Sequence, residues 1–146
     1  MKDKLILVVE DNPDQLELTV LTLEEGTVKA EIAVAHDGAQ TLDFLFGRGL
    51  HAGRDIQRQP ALILLDLKLP KLSGLDVLRN VRANPLTALV PVVMLTSSCE
   101  HSDIVACYQS GANGYVRKPV DFVEFTEKLN CLLAYWLGAN ETPALD

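Results

Sequence analysis

The chain has 146 residues, 48% of them hydrophobic, and a net charge of −7. That length is most economically one domain around one core, its apolar runs fall far short of the roughly 20 residues that cross a bilayer, and it has no Lys/Arg cluster of the kind that neutralises nucleic-acid phosphates. Met1-Lys2-Asp3-Lys4 runs straight into a strand rather than a signal segment, and Cys99, Cys107 and Cys131 contain no Cys-x-x-Cys pair. A cytoplasmic protein with reduced cysteines is expected, with no membrane and no nucleic acid among its partners.

Taken in order, Leu5 to Val9 is an unbroken aliphatic run that ends in Glu10-Asp11-Asn12-Pro13. Asn12 or Asp11 caps a helix with Pro13 at its first position; Leu16, Val20, Leu21 and Leu23 form its apolar stripe and Gly26 closes it. Ala30 to Ala35 reads as a strand, His36-Asp37-Gly38 as a turn, and Ala39 to Phe46 as a helix burying Leu42, Leu45 and Phe46. Gly47 to Gln59 reads as a long polar loop, the least structured segment of the chain. Leu62 to Leu65 is again aliphatic throughout, as in strands buried on both faces, and it stops at Asp66.

Beyond Asp66, Pro70 and Gly74 mark a loop, and Leu75, Val77, Leu78 and Val81 a helix that Asn84-Pro85 ends. Val90 to Leu95 is a fourth strand ending in Thr96-Ser97-Ser98. A helix carrying Ile104, Val105, Cys107 and Tyr108 follows, terminated by Gly111. Gly114 to Arg117 is a fifth strand, ending in Lys118-Pro119. The last helix starts at Asp121 with Phe122, Phe125, Leu129, Leu132 and Trp136 at helical spacing, and the tail from Gly138 is expected to be loose. Five strands alternating with helices imply an α/β fold with a doubly wound parallel sheet spanning residues 4–137.

Parallel strands deliver their carboxyl ends to one edge, so Glu10, Asp11, Asp66, Thr96 and Lys118 should converge there. Two carboxylates about 5 Å apart repel by on the order of 3 kcal/mol at an effective dielectric near 20, so a positive partner is required. Lys118 offsets one charge. The remainder suits Mg²⁺, a hard cation that binds one or two carboxylates and bridges to phosphate oxygens. A carboxylate can also attack phosphorus, with Thr96 and Lys118 holding the new phosphoryl oxygens.

In this ordered set the chain resembles the receiver domain of two-component response regulators. Glu10-Asp11 resembles the acidic pair after the first strand, Asp66 the phosphoacceptor, Thr96 the switch hydroxyl, Tyr115 the switch aromatic and Lys118-Pro119 the family's Lys-Pro, usually a cis peptide. The resemblance implies a flavodoxin-like receiver fold with strand order 2-1-3-4-5. It implies Mg²⁺ held by Asp11, Asp66 and the Lys68 carbonyl, with Glu10 acting mainly through water. It also implies phosphorylation of Asp66 by a histidine kinase, and a switch in which Thr96 moves toward the phosphate and Tyr115 swings inward. The protein would then be no enzyme toward other substrates, catalysing only its own phosphorylation and dephosphorylation.

The inserted loop, the Asp66-Leu67-Lys68-Leu69-Pro70-Lys71 segment and the aromatic last helix are similar to the stand-alone regulators of bacterial phytochromes, which would make such a kinase the partner. Lys68 and Ser98 depart from the common pattern and are expected to change the lifetime of the phosphorylated state. With only a short tail after Leu137, the signal is expected to leave through a surface. Cys131, Tyr135 and Leu137 are read as surplus apolar surface for a homodimer through the fourth helix, fifth strand and fifth helix. The alternatives are a Mg²⁺-dependent aspartyl-phosphate phosphohydrolase, which usually has a second acid where Lys68 stands, and a flavodoxin-like cofactor binder, which lacks its phosphate loop here. His36, His51 and His101 are read as ordinary surface residues.

Overall fold

The computed structural model describes residues 4–26 and 28–143, and within them strand and helix alternate as expected. The strands are β1 (Lys4–Val9), β2 (Ala30–Ala35), β3 (Leu62–Leu65), β4 (Val92–Thr96) and β5 (Gly114–Arg117). The helices are α1 (Pro13–Glu25), α2 (Gly38–Phe46), α3 (Gly74–Ala83), α4 (His101–Gln109) and α5 (Phe122–Leu133). All neighbouring strands are parallel, in the order β2-β1-β3-β4-β5.

The aliphatic runs explain the layering. Successive side chains of a strand point to opposite faces. Leu5, Leu7, Val9, Ile63, Leu65, Val92 and Met94 meet α2, α3 and α4 on one face, whereas Ile6, Val8, Leu62, Leu64, Val93 and Leu95 meet α1 and α5 on the other. The central strands are therefore buried on both sides, while β2 and β5 lie at the edges and are partly exposed.

Helix starts follow local chemistry. The Asn12 side chain accepts from the Asp14 and Gln15 amides at the start of α1, Asp37 caps α2, Ser73 caps α3 and Asp121 caps α5. The stripe of α1 differs from its expected composition: Leu21 is exposed, and Thr19 and Thr22 are buried beside Leu16 and Leu23. Each threonine satisfies its hydroxyl on the carbonyl one turn back, Gln15 O at 2.9 Å and Leu18 O at 2.8 Å, which is what lets a polar residue enter the packed face.

The segment from Gly47 to Gln59 is the loop expected, but a pinned one. It holds a short 3₁₀ turn at Gly49–His51 and is pinned by Arg54, which lies over the Phe44 ring at 4.1 Å and donates to Phe44 O at 2.6 Å. The buried Gln59 amide donates to Leu45 O at 2.9 Å, and His51 sets its ring edge against Phe44. Arg82 acts similarly between α3 and the turn before β5, donating to Gly111 O, Val90 O and Asn113 Oδ1.

The last helix corrects two further expectations. Phe122 is exposed rather than packed inward, and Leu137 is buried rather than free for a partner. Past Leu133 the chain continues as a π turn over Ala134–Ala139. Its wider winding carries Leu137 back onto the stripe of Leu129 and Leu133, with Trp136 packed half-buried against the same cluster. Lys4 Nζ donates to the Leu137 carbonyl at 2.8 Å, satisfying an acceptor at the helix end. The tail is thus ordered as far as Ala139, and residues 144–146 lie outside the described residues. Leu137→Ala is expected to lose about 2–4 kcal/mol in chemical denaturation, whereas Phe122→Ala should stay within about 0.5 kcal/mol of the parent.

Candidate functional site

The register of the sheet brings the strand ends together. Val9 pairs with Leu65 and with Ala35, Leu65 pairs with Met94, and Thr96 pairs with Arg117. One residue further on, ladder-like hydrogen bonds still hold: Glu10 N to Ala35 O, Asp66 N to Val9 O and Lys118 N to Thr96 O. Glu10, Asp66, Thr96 and Lys118 are therefore backbone-positioned at one edge, and all four are largely buried.

Carboxylate oxygens of Glu10, Asp11 and Asp66 lie within 4.8 Å of one another. Oxygen donors on a partly open edge, with Asp11 exposed, fit a hard divalent cation that keeps some of its water. On the other side of Asp66 stands Lys118. Its Nζ lies 3.3 Å from Asp66 Oδ2 and 2.7 Å from Gln15 Oε1, and it is ion-paired with Glu10 Oε1. Burial pushes the Glu10 carboxyl up to about 7 against the downward pull of that ammonium. Glu10 is thus bound directly to Lys118 while its carboxylate remains part of the oxygen cluster.

Beyond Asp66 the chain turns tightly. A Cβ on Gly74 would lie 2.1 Å from the Asp66 carbonyl oxygen, so only glycine fits there. Lys71 has φ +69°, a left-handed conformation that is costly for a side-chain-bearing residue. Its ammonium reaches the buried Asp37 carboxylate at 3.3 Å, and a Cβ on Gly38 would come within 2.5 Å of Leu72 O. The loop after β3 is therefore seated on the start of α2. The Lys68 side chain is exposed at the rim, while its amide faces Asp66 Oδ1 at 3.4 Å.

Thr96 and Tyr115 meet at Ser98. The Thr96 hydroxyl accepts from Ser98 N at 3.4 Å, Tyr115 Oη donates to Ser98 O at 3.0 Å, and Ser98 Oγ bonds the Asp103 carboxylate in the first turn of α4. The Tyr115 ring is half-buried and packs against the core beside α4, with its hydroxyl satisfied by the Ser98 carbonyl. Among the described residues no peptide bond is cis, so the 118–119 bond is trans, the form that X-Pro bonds favour in the absence of a specific constraint.

Reading the sequence missed Gln15, Asp37 and Lys71 as parts of the site, and it singled out Ser98 without its bonds to Thr96, Tyr115 and Asp103.

Comparison with known proteins agrees with this geometry. Residues 6–130 match the model of the response regulator receiver domain. Response regulator Rcp1 of Synechocystis is 33% identical over 97% of this chain and 94% of its own, and its Mn²⁺-bound structure superposes with a TM-score of 0.89. The phosphorylated cyanobacterial phytochrome response regulator RcpA is 31% identical, with a TM-score of 0.91 over 98% of this chain and all of that one. The bacteriophytochrome response regulator AtBRR is 42% identical over the full length of both chains, with a TM-score of 0.77. A parallel sheet with an acidic edge, a strand-end hydroxyl and a buried lysine defines a receiver, and this chain belongs to the response regulator receiver family. It is related to the phytochrome response regulators.

The Gln40 amide holds the Asp37 carboxyl below its usual range, and Lys71 adds to this against the cost of burial. A carboxylate with a lowered folded-state pKa stabilises the fold above its unfolded-state pKa and loses that contribution as the pH falls through the folded value. Asp37→Ala is therefore expected to cost about 1 kcal/mol at neutral pH. Asp37→Asn, which keeps the cap, should cost less, and its deficit against the parent should disappear in urea titrations carried into acid.

Proposed function

We propose that this chain is a phosphoacceptor that takes a phosphoryl group on Asp66 from a histidine kinase and signals through protein contacts. One observation carries the reading: the Asp66 carboxylate lies between an oxygen cluster within 4.8 Å and the buried Lys118 ammonium at 3.3 Å. An Asp66 oxygen attacks the phosphorus of a phosphohistidine as the P–N bond breaks and its electron pair returns to the imidazole. Asp11, Asp66 and the Lys68 carbonyl would hold Mg²⁺, which when bound neutralises charge on the phosphoryl oxygens. Lys118 stabilises the same oxygens from the other side, and Thr96 supplies a hydroxyl to them.

Similarity to Rcp1, RcpA and AtBRR supports a phytochrome-type kinase as the donor. The chain acts on no other substrate, with Lys68 where a phosphohydrolase usually has its second acid; turnover of simple phosphomonoesters would refute this. Among the described residues no helix is long and apolar enough to cross a membrane, which fits a cytoplasmic partner. Val105, Tyr108, Phe122 and Val123 leave apolar surface on α4 and α5, and we assign the homodimer to the α4-β5-α5 face. Sedimentation that shows only monomer, with and without phosphorylation, would rule it out. The net charge of −7 leaves nucleic acid out of the partner set.

With Mg²⁺ and a small phosphodonor, intact mass is expected to show one labile phosphoryl group on the parent and none on Asp66→Asn; no uptake by the parent overturns the assignment. The exposed Lys68 cation favours the phosphorylated state and crowds the approach of water. Lys68→Asn is therefore expected to shorten the phosphoryl lifetime about two- to fivefold, the scale of a rim charge, as measured by release of phosphate.

A further inference from the structure

The Lys118 ammonium is fully committed in the unphosphorylated site. It has three N–H bonds, and its acceptors are Glu10 Oε1, Gln15 Oε1 at 2.7 Å and Asp66 Oδ2 at 3.3 Å, around a side chain only 6% exposed. Gln15 is neither at a strand end nor one of the acids. The Gln15 backbone N–H donates to Asn12 Oδ1 at 3.1 Å, and the Asn12 backbone N–H donates to Glu10 Oε2 at 3.2 Å. Glu10 and the first turn of α1 are thus linked by hydrogen bonds, and both Glu10 and Gln15 meet the ammonium on the α1 side of Asp66. Apart from the ion-paired Glu10 carboxylate, which is the nearest partner, the neutral Gln15 amide at 2.7 Å lies nearer to the ammonium than the Asp66 carboxylate at 3.3 Å, although a carboxylate is the stronger acceptor.

We propose that Gln15 is a positioning residue that holds Lys118 back from Asp66 and so sets how readily the site accepts a phosphoryl group. The inference rests on the phosphoacceptor reading of Asp66. A phosphoryl group brings further anionic oxygens within reach of an ammonium that has no spare proton, so one existing partner must be released. Gln15 is the uncharged acceptor of the three and lies on the exposed side of α1, where water replaces the lost bond. Its contact therefore favours the unphosphorylated site, and only a contact that differs between two states can shift their balance. Removing the Gln15 acceptor raises affinity for the phosphoryl group.

The test is the binding of trifluoroberyllate, a phosphoryl mimic that occupies a carboxylate oxygen, measured by fluorine NMR or calorimetry on the full chain at saturating Mg²⁺. Mg²⁺ affinity without the mimic and the thermal midpoint are recorded beside it. Gln15→Met keeps the side-chain length and loses the acceptor, whereas Gln15→Asn keeps the amide one methylene short of Lys118. Both variants are expected to bind the mimic about three- to tenfold more tightly than the parent, the scale of a hydrogen bond to a charged group partly replaced by water, with Mg²⁺ affinity unchanged. A residue with a merely structural role would lower that affinity on removal. Equal or weaker binding by both variants, with the parent binding normally, overturns this inference alone, as does a matching rise in Mg²⁺ affinity. A parent that fails to bind the mimic, or binds it no better than Asp66→Asn, overturns the phosphoacceptor reading and this one with it.

Discussion

Bringing Glu10, Asp11 and Asp66 to one edge of a parallel sheet places their oxygens within 4.8 Å, and each pair of charges at about 5 Å costs on the order of 3 kcal/mol at an effective dielectric near 20. Lys118 makes that arrangement tolerable. Its ammonium is buried among Glu10, Asp66 and Gln15, and every one of its protons has an acceptor, which a buried charge requires. Removing the cation would leave buried carboxylates facing one another, and removing the carboxylates would leave a buried cation. The site is therefore a single electrostatic unit whose parts come from β1, β3, β5 and α1, and the rest of the fold serves to hold those parts in register.

The sheet does most of that holding. Backbone bonds continue one residue past the strands to Glu10, Asp66 and Lys118, so the charged residues have the rigidity of the ladder although they stand outside it. The loop after Asp66 is equally constrained, by the close approach at Gly74 and by Lys71 reaching Asp37 across to α2. The segment after Thr96 is built differently. Ser98 gathers the Thr96 hydroxyl, the Tyr115 hydroxyl and the first turn of α4 through three separate atoms, so a movement of Thr96 cannot leave α4 and β5 unaffected. A ligand at the sheet edge could shift that segment only through contacts that differ between two of its arrangements.

How much was legible beforehand depended on how local the signal was. The strands were recognisable because central strands of a parallel sheet are apolar throughout, and the helix starts because their capping residues lie within the same turn. Asp66, Asp11, Thr96 and Lys118 were recognisable because strand ends in such a sheet share one edge. Leu137 was misread because a π turn shifts the helical phase without any distinctive residue. The order of the loop from Gly47 to Gln59 was not legible because it comes from Arg54 stacking on Phe44 and Gln59 binding Leu45 O, contacts with residues ten or more positions away.

The sequence by itself therefore determined the order of elements, the buried face of each central strand and the chemistry presented at the active edge, since each of these follows from periodicity or from neighbours along the chain. Tertiary structure alone decided which partners the ammonium of Lys118 takes, that Ser98 links Thr96 to Tyr115, and that Lys71 adopts a strained backbone to reach Asp37. Those outcomes depend on distances between residues that share no local pattern, and the distances exist only once the crossovers have packed against the sheet.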